Sequence, residues 1–152
     1  MGRGQQTIIA DIGSLREETI TLYHGTSSIH WPQISSQGLP ARSYLTDDLS
    51  LAEYYAGVAA EDGEEIVLEV QAPKTSLVTD VPALEEPIFV TYAANNNGKD
   101  RQETLWEEAD RACLEAAVEN WQDLPWAISL ELTNSVLCCS KISPSDIKLY
   151  YQ

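Results

Sequence analysis

Three short groups in the first half of the chain carry chemistry by residue type and spacing. Tyr23-His24-Gly25-Thr26 ends an alternating segment, Tyr44 follows His24 by 20 residues, and Tyr55 follows Tyr44 by 11. An imidazole can bond a hydroxyl, and the neighbouring glycine lets a ligand approach the backbone because no Cβ intrudes. Two tyrosines can sandwich a flat cationic ring, with stacking and cation–π attraction worth about 0.5–2 kcal/mol. Such groups suit a reaction that holds a planar leaving group flat, fixes sugar hydroxyls and stabilises positive charge developing on the sugar.

Mixed elements must position these groups. Alternation predicts strands over 19–23, 44–46 and 66–70, with Ile66, Leu68 and Val70 on one face of the last. Further alternation predicts strands at Ile128, Leu130 and Leu132, over 136–139 and over 147–151. Helices are predicted over 28–37, with Gly38 as a left-handed cap, and over 50–60, where Ser50 and Glu53 have capping-box spacing. The best helical pattern runs over 102–120, where Leu105, Ala109, Ala112, Cys113, Ala116 and Ala117 trace one face. Residues 95–100 are expected to form a polar loop. Strands at both ends around a helical middle predict an α+β domain over 19–152, preceded by an extension over 1–18.

Composition narrows the classes of partner. The 152 residues, 43% hydrophobic, fit one domain with one core, and no apolar run approaches the roughly 20 residues of a membrane span. The first residues lack the pattern of a secretory signal, and three cysteines, two of them adjacent, fit reduced thiols in a cytoplasmic protein. No metal-ligand spacing is present. The net charge of −15 comes with nine scattered basic residues, which disfavours direct nucleic-acid binding and fits either simple solubility or, more specifically, attraction to a basic protein surface.

His24-Gly25-Thr26, then Tyr44-Leu45-Thr46-Asp47, then Ser50-x-Ala52-x-x-Tyr55 resembles the diphtheria-toxin-like and poly-ADP-ribose-polymerase-like branch of the ADP-ribosyltransferase superfamily, the His-Tyr-Glu branch. The resemblance implies split antiparallel sheets with flanking helices, and NAD as co-substrate. It further implies that His24 binds the ribose, Gly25 the carboxamide, with Thr26 beside them, and that Tyr44 and Tyr55 hold the two faces of the nicotinamide. The segment 134–147 is similar to the last strand of that superfamily and, more loosely, to RNA 2′-phosphotransferases. On this alignment Ser135 stands where the transferases place a catalytic glutamate.

Glu131, four residues upstream, is the nearest acid. On a strand those residues span about 13 Å, so Glu131 serves as the catalytic acid with His24 and Tyr44 only if a turn at Thr133-Asn134 shifts the register. Glu107 and Asp110 are reserves. His30, Trp106, Trp121 and Trp126 read as structural residues. The expected function is mono-ADP-ribosylation of a protein acceptor with a basic surface, for example a component of a nucleic-acid-binding complex targeted by an effector or phage protein. The alternatives are a module that binds NAD or ADP-ribose without catalysis, or an acidic module occluding a basic surface, and an RNA 2′-phosphotransferase-like enzyme.

Overall fold

Two strands with alternating apolar residues build the centre of the molecule. In the computed structural model, which describes residues 18–86 and 98–151, β1 (Thr19–Ser27) pairs along its whole length with β3 (Glu65–Pro73). β6 (Ile147–Tyr151) lies on the far side of β3. On the other side of β1 come β2 (Ser43–Thr46), β5 (Ser135–Cys138) and β4 (Leu77–Thr79). The order β4-β5-β2-β1-β3-β6 is antiparallel throughout. With its helices it makes one small mixed α/β domain.

The two expected sheets are hydrogen-bonded into one, yet a seam divides it. β1 and β2 share a single pair, Tyr23 with Thr46, whereas β2 and β5 pair at four successive positions from Ser43–Cys138 to Thr46–Ser135. Three strands therefore lie on each side of a junction one residue pair wide.

Both faces of β3 are covered. Ile66, Leu68 and Val70 enter the main core with Leu22, Leu45, Val136 and Ile142, while Val67 packs on the opposite face against Ala52 and Ala56. Those alanines belong to α2 (Leu49–Ala59), which lies over the end of β1. Its N-cap is Asp48, whose carboxylate accepts from the Leu51 amide at 3.1 Å, so Asp48 and not the expected Ser50 starts the helix. The predicted first helix is a 3-10 turn over Ser28–His30 followed by α1 (Trp31–Gln37), closed as expected by Gly38 at φ 87°.

Two predicted elements change. The segment holding Ile128, Leu130 and Leu132 is not a strand but helix α5 (Trp126–Thr133), capped by Asn134 in the left-handed region. Ser129, Leu130 and Thr133 are buried and Trp126 half-buried on one face at helical spacing, and that burial outweighs the apparent alternation. The long helix α4 spans Gly98–Ala116, not 102–120, and buries Leu105, Ala109 and Cys113 against Leu84 and Leu124. Leu84 lies on the short helix α3 (Val81–Glu85). Gly98, Lys99 and Asp100 of the expected polar loop are thus helical, while residues 95–97 and the first 17 of the expected extension lie outside the described residues. Among the described residues no helix is long and apolar enough to cross a membrane.

The packing of α2 on β1 makes one glycine indispensable. A Cβ on Gly25 would lie 1.9 Å from the Ala52 carbonyl oxygen and 2.7 Å from the Ala56 nitrogen, so backbone would have to move. A Cβ on Gly57, exposed on the same helix, meets only the Glu65 side chain at 3.7 Å. Gly25→Ala should lower stability by about 1–3 kcal/mol. Gly57→Ala should be neutral or stabilising by about 0.5–1 kcal/mol through helix propensity. Urea unfolding of both variants checks the contrast; equal effects would contradict this packing.

Candidate functional site

The seam between β1 and β2 is where the predicted site residues meet. Continuing the Tyr23–Thr46 register by two residues would set Gly25 opposite Tyr44, but no such pair forms. The Tyr44 carbonyl instead accepts from His24 Nδ1 at 2.8 Å. A carbonyl can only accept, so Nδ1 carries the proton and Nε2 of the neutral ring keeps its lone pair. Burial pushes the imidazole below the ordinary histidine value of 6.5, outweighing the opposing effect of the Tyr44 carbonyl. The neutral ring, with Nε2 ready to accept from a hydroxyl, is the form held at pH 7.

His24, Gly25, Thr26, Tyr44 and Tyr55 together line one cavity of about 300 Å³. Strand alternation puts His24 and the buried Thr26 on one face of β1, and Gly25 on the face covered by α2. The missing Cβ of Gly25 thus serves the close approach of the helix, while its backbone contributes to the cavity wall. Tyr44 on β2 is exposed, and Tyr55 on α2 is half-buried in an edge-to-face contact with Tyr54 at 5.8 Å. The Tyr55 hydroxyl is pushed up to about 12, chiefly by burial and then by the charge of Asp80 and by Tyr54 and Tyr44, so it remains protonated.

Two further cavities share walls with this one. His24, Thr26 and His30 are also walls of a cavity of about 670 Å³ that runs past Gln33 and Gln37 to Lys141. Tyr44 and Tyr55 are also walls of one of about 360 Å³ that reaches Asp80, Glu85 and Glu86. Three neighbouring cavities that share walls thus make up a crevice, with the histidine and the tyrosines among the shared residues.

The structure does not bring Glu131 to these walls. It sits on the exposed side of α5, and none of the three cavities is lined by it. The reserves fare no better. Glu107 is exposed on α4, and Asp110 accepts from Trp121 Nε1 at 2.9 Å.

The buried acid on these walls is Asp80, which the sequence did not single out. It follows β4, caps α3 by accepting from the Ala83 amide at 3.0 Å, and is only 2% exposed. Its Oδ2 accepts from the Ser135 hydroxyl at 2.5 Å. The Asp80 amide donates to Ser129 Oγ at 3.0 Å, and that hydroxyl donates to the Ser135 carbonyl at 2.6 Å. A closed ring of hydrogen bonds therefore fixes the carboxylate. No lysine, arginine or histidine lies within 4 Å of it among the described residues. Burial raises the carboxyl above its ordinary value, against the lowering effects of Ser135 and the Ala83 amide.

Among the described residues no group of three potential metal-ligand side chains is assembled. Comparisons of the chain with protein-family models, curated proteins and solved structures found no match.

The raised Asp80 carboxyl has a stability consequence with a definite sign. The unfolded chain releases this proton near the ordinary value of 3.8, and the folded protein releases it only at higher pH. As pH rises through that interval the native state holds more protons, so Asp80 lowers stability progressively. Asp80→Asn keeps an oxygen for the Ala83 amide and removes the charge. Its melting temperature relative to wild type should rise by at least about 2 °C between pH 3 and pH 7. A difference independent of pH, followed by thermal melts, would contradict this environment for Asp80.

Proposed function

We propose that this protein binds NAD in the crevice and transfers its ADP-ribose unit to a protein acceptor. The observation that carries this reading is the convergence of His24, Gly25, Thr26, Tyr44 and Tyr55, from three separate elements, on one cavity. The resemblance to ADP-ribosyltransferases rests on the same residues. In this reading the nicotinamide lies between Tyr44 and Tyr55, and His24 Nε2 accepts from a hydroxyl of its ribose. The larger cavity beyond His24 and His30 leaves room for the rest of the dinucleotide.

Chemically, the transfer breaks the bond from ribose C1′ to the nicotinamide nitrogen, and its electron pair leaves with the neutral nicotinamide. The acceptor supplies the pair for the new bond at C1′ and loses a proton. The protein's part is to hold the ring flat, fix the ribose and exclude competing orientations. A basic protein as acceptor is supported by the net charge of −15 and by Glu85 and Glu86, exposed on the crevice wall.

A second reading, binding without catalysis, is favoured by one observation: Ser135 occupies the place of the family's glutamate, and Glu131 is turned away on a helix. Labelled NAD incubated with a cell lysate separates the two. Transfer predicts label on a discrete protein, reduced about 10- to 100-fold by His24→Ala through the lost hydrogen bond to the ribose. Saturable NAD binding with neither labelling nor nicotinamide release would establish the second reading instead.

A further inference from the structure

We infer that Asp80, held by Ser135, is the carboxylate that faces the reacting ribose, in place of the glutamate that the superfamily pattern sets at position 135. This inference rests on the NAD reading of the crevice and adds to it the acid that the reading lacks.

The geometry is specific. Ser135 begins β5, in the place the alignment reserves for the acid, and its hydroxyl meets Asp80 Oδ2 at 2.5 Å. Asp80 thereby brings a carboxylate next to that place from a different strand end, 55 residues earlier in the chain. It shares a cavity wall with Tyr44 and Tyr55, the two proposed nicotinamide neighbours. Its charge also contributes to the raised value of the Tyr55 hydroxyl.

A buried carboxylate with no basic neighbour among the described residues is an expensive group to keep in a small fold. The cap on α3 does not require it, because asparagine and serine cap equally well. A transition state that puts positive charge on the ribose does use it. The nicotinamide ring of NAD carries positive charge, and that charge moves to the ribose as the C1′ bond to nitrogen breaks. A fixed anion beside it stabilises the transition state, as the second carboxylate does in glycoside hydrolysis. With water as acceptor, the water oxygen bonds to C1′, its proton passes to Asp80, and the carboxyl then returns it to solvent. The products are nicotinamide and ADP-ribose. Glu85 and Glu86 line the same cavity, but both are exposed and lie at the end of a five-residue helix. Solvent screens charges so placed.

The test measures NAD binding and nicotinamide release for wild type, Asp80→Asn and Ser135→Ala, with NAD as the only substrate. Asp80→Asn should keep its Kd for NAD within about fivefold and lose release at least 100-fold, the scale of removing one preorganised charge from a transition state. A purely structural cap would not produce that split between binding and turnover. Ser135→Ala leaves the charge in place and loosens it, and release should fall about tenfold with binding unchanged. This second variant decides the matter if Asp80→Asn does not fold. Undiminished release by Asp80→Asn or by Ser135→Ala overturns the assignment to Asp80 and leaves the NAD reading standing. Loss of release in Glu85→Gln/Glu86→Gln, with Asp80→Asn active, moves the role to the rim and also overturns it. Wild type that neither binds NAD nor releases nicotinamide overturns both.

Discussion

A single backbone pair, Tyr23 with Thr46, is the constraint on which the rest of the structure depends. If β1 and β2 paired along their length, Gly25 and Tyr44 would face each other across a closed ladder and the crevice would not exist. If they did not pair at all, the two three-stranded halves would have no common register. The one pair is reinforced from the side. The Thr46 hydroxyl donates to the Asn134 carbonyl, Asn134 Nδ2 donates to Asp47 at 3.0 Å, and Asn134 closes α5 in the left-handed conformation. The turn that ends a helix in the second half of the chain thus pins the strand end that opens the site in the first half.

Opening a sheet leaves backbone groups without ladder partners. Here His24 takes the place of one such partner by donating Nδ1 to the Tyr44 carbonyl. The same bond sets the tautomer that leaves Nε2 free to accept. A structural requirement of the split and a chemical requirement of the proposed site are met by one side chain. Asp80 has the same double character, since it caps α3 with one oxygen and meets Ser135 with the other. Both groups are held by bonds that also hold the fold, which is how a small domain keeps its chemistry rigid.

Local pattern made much of this legible. The apolar alternation of β1 and β3, the Gly38 helix stop and the Leu105, Ala109, Ala112 and Cys113 part of the α4 face are set by near neighbours and stand where the sequence places them. Ala116 and Ala117, expected on that face, are instead exposed, and Ala117 lies past the helix end. The grouping of His24, Gly25, Thr26, Tyr44 and Tyr55 was also legible, because each is carried at a fixed offset on a short element beside the seam. The segment around Glu131 misled because Ile128, Leu130 and Leu132 satisfy a strand period while Trp126, Ser129, Leu130 and Thr133 satisfy a helical one. Tertiary burial of the second set decided it. Asp80 was readable at most as a cap before Val81-Pro82, since its partner Ser135 is 55 residues distant and only the fold joins them.

The most direct measurement is a calorimetric titration of NAD into the protein and into a Tyr55→Ala variant. Tyr55 lines both the cavity with His24 and the one with Asp80, so it marks the middle of the crevice. The account predicts saturable one-to-one binding, weakened about 3- to 30-fold by the loss of one aromatic face. Absence of binding to wild type, or identical affinity in the variant, would contradict a nicotinamide site between these tyrosines.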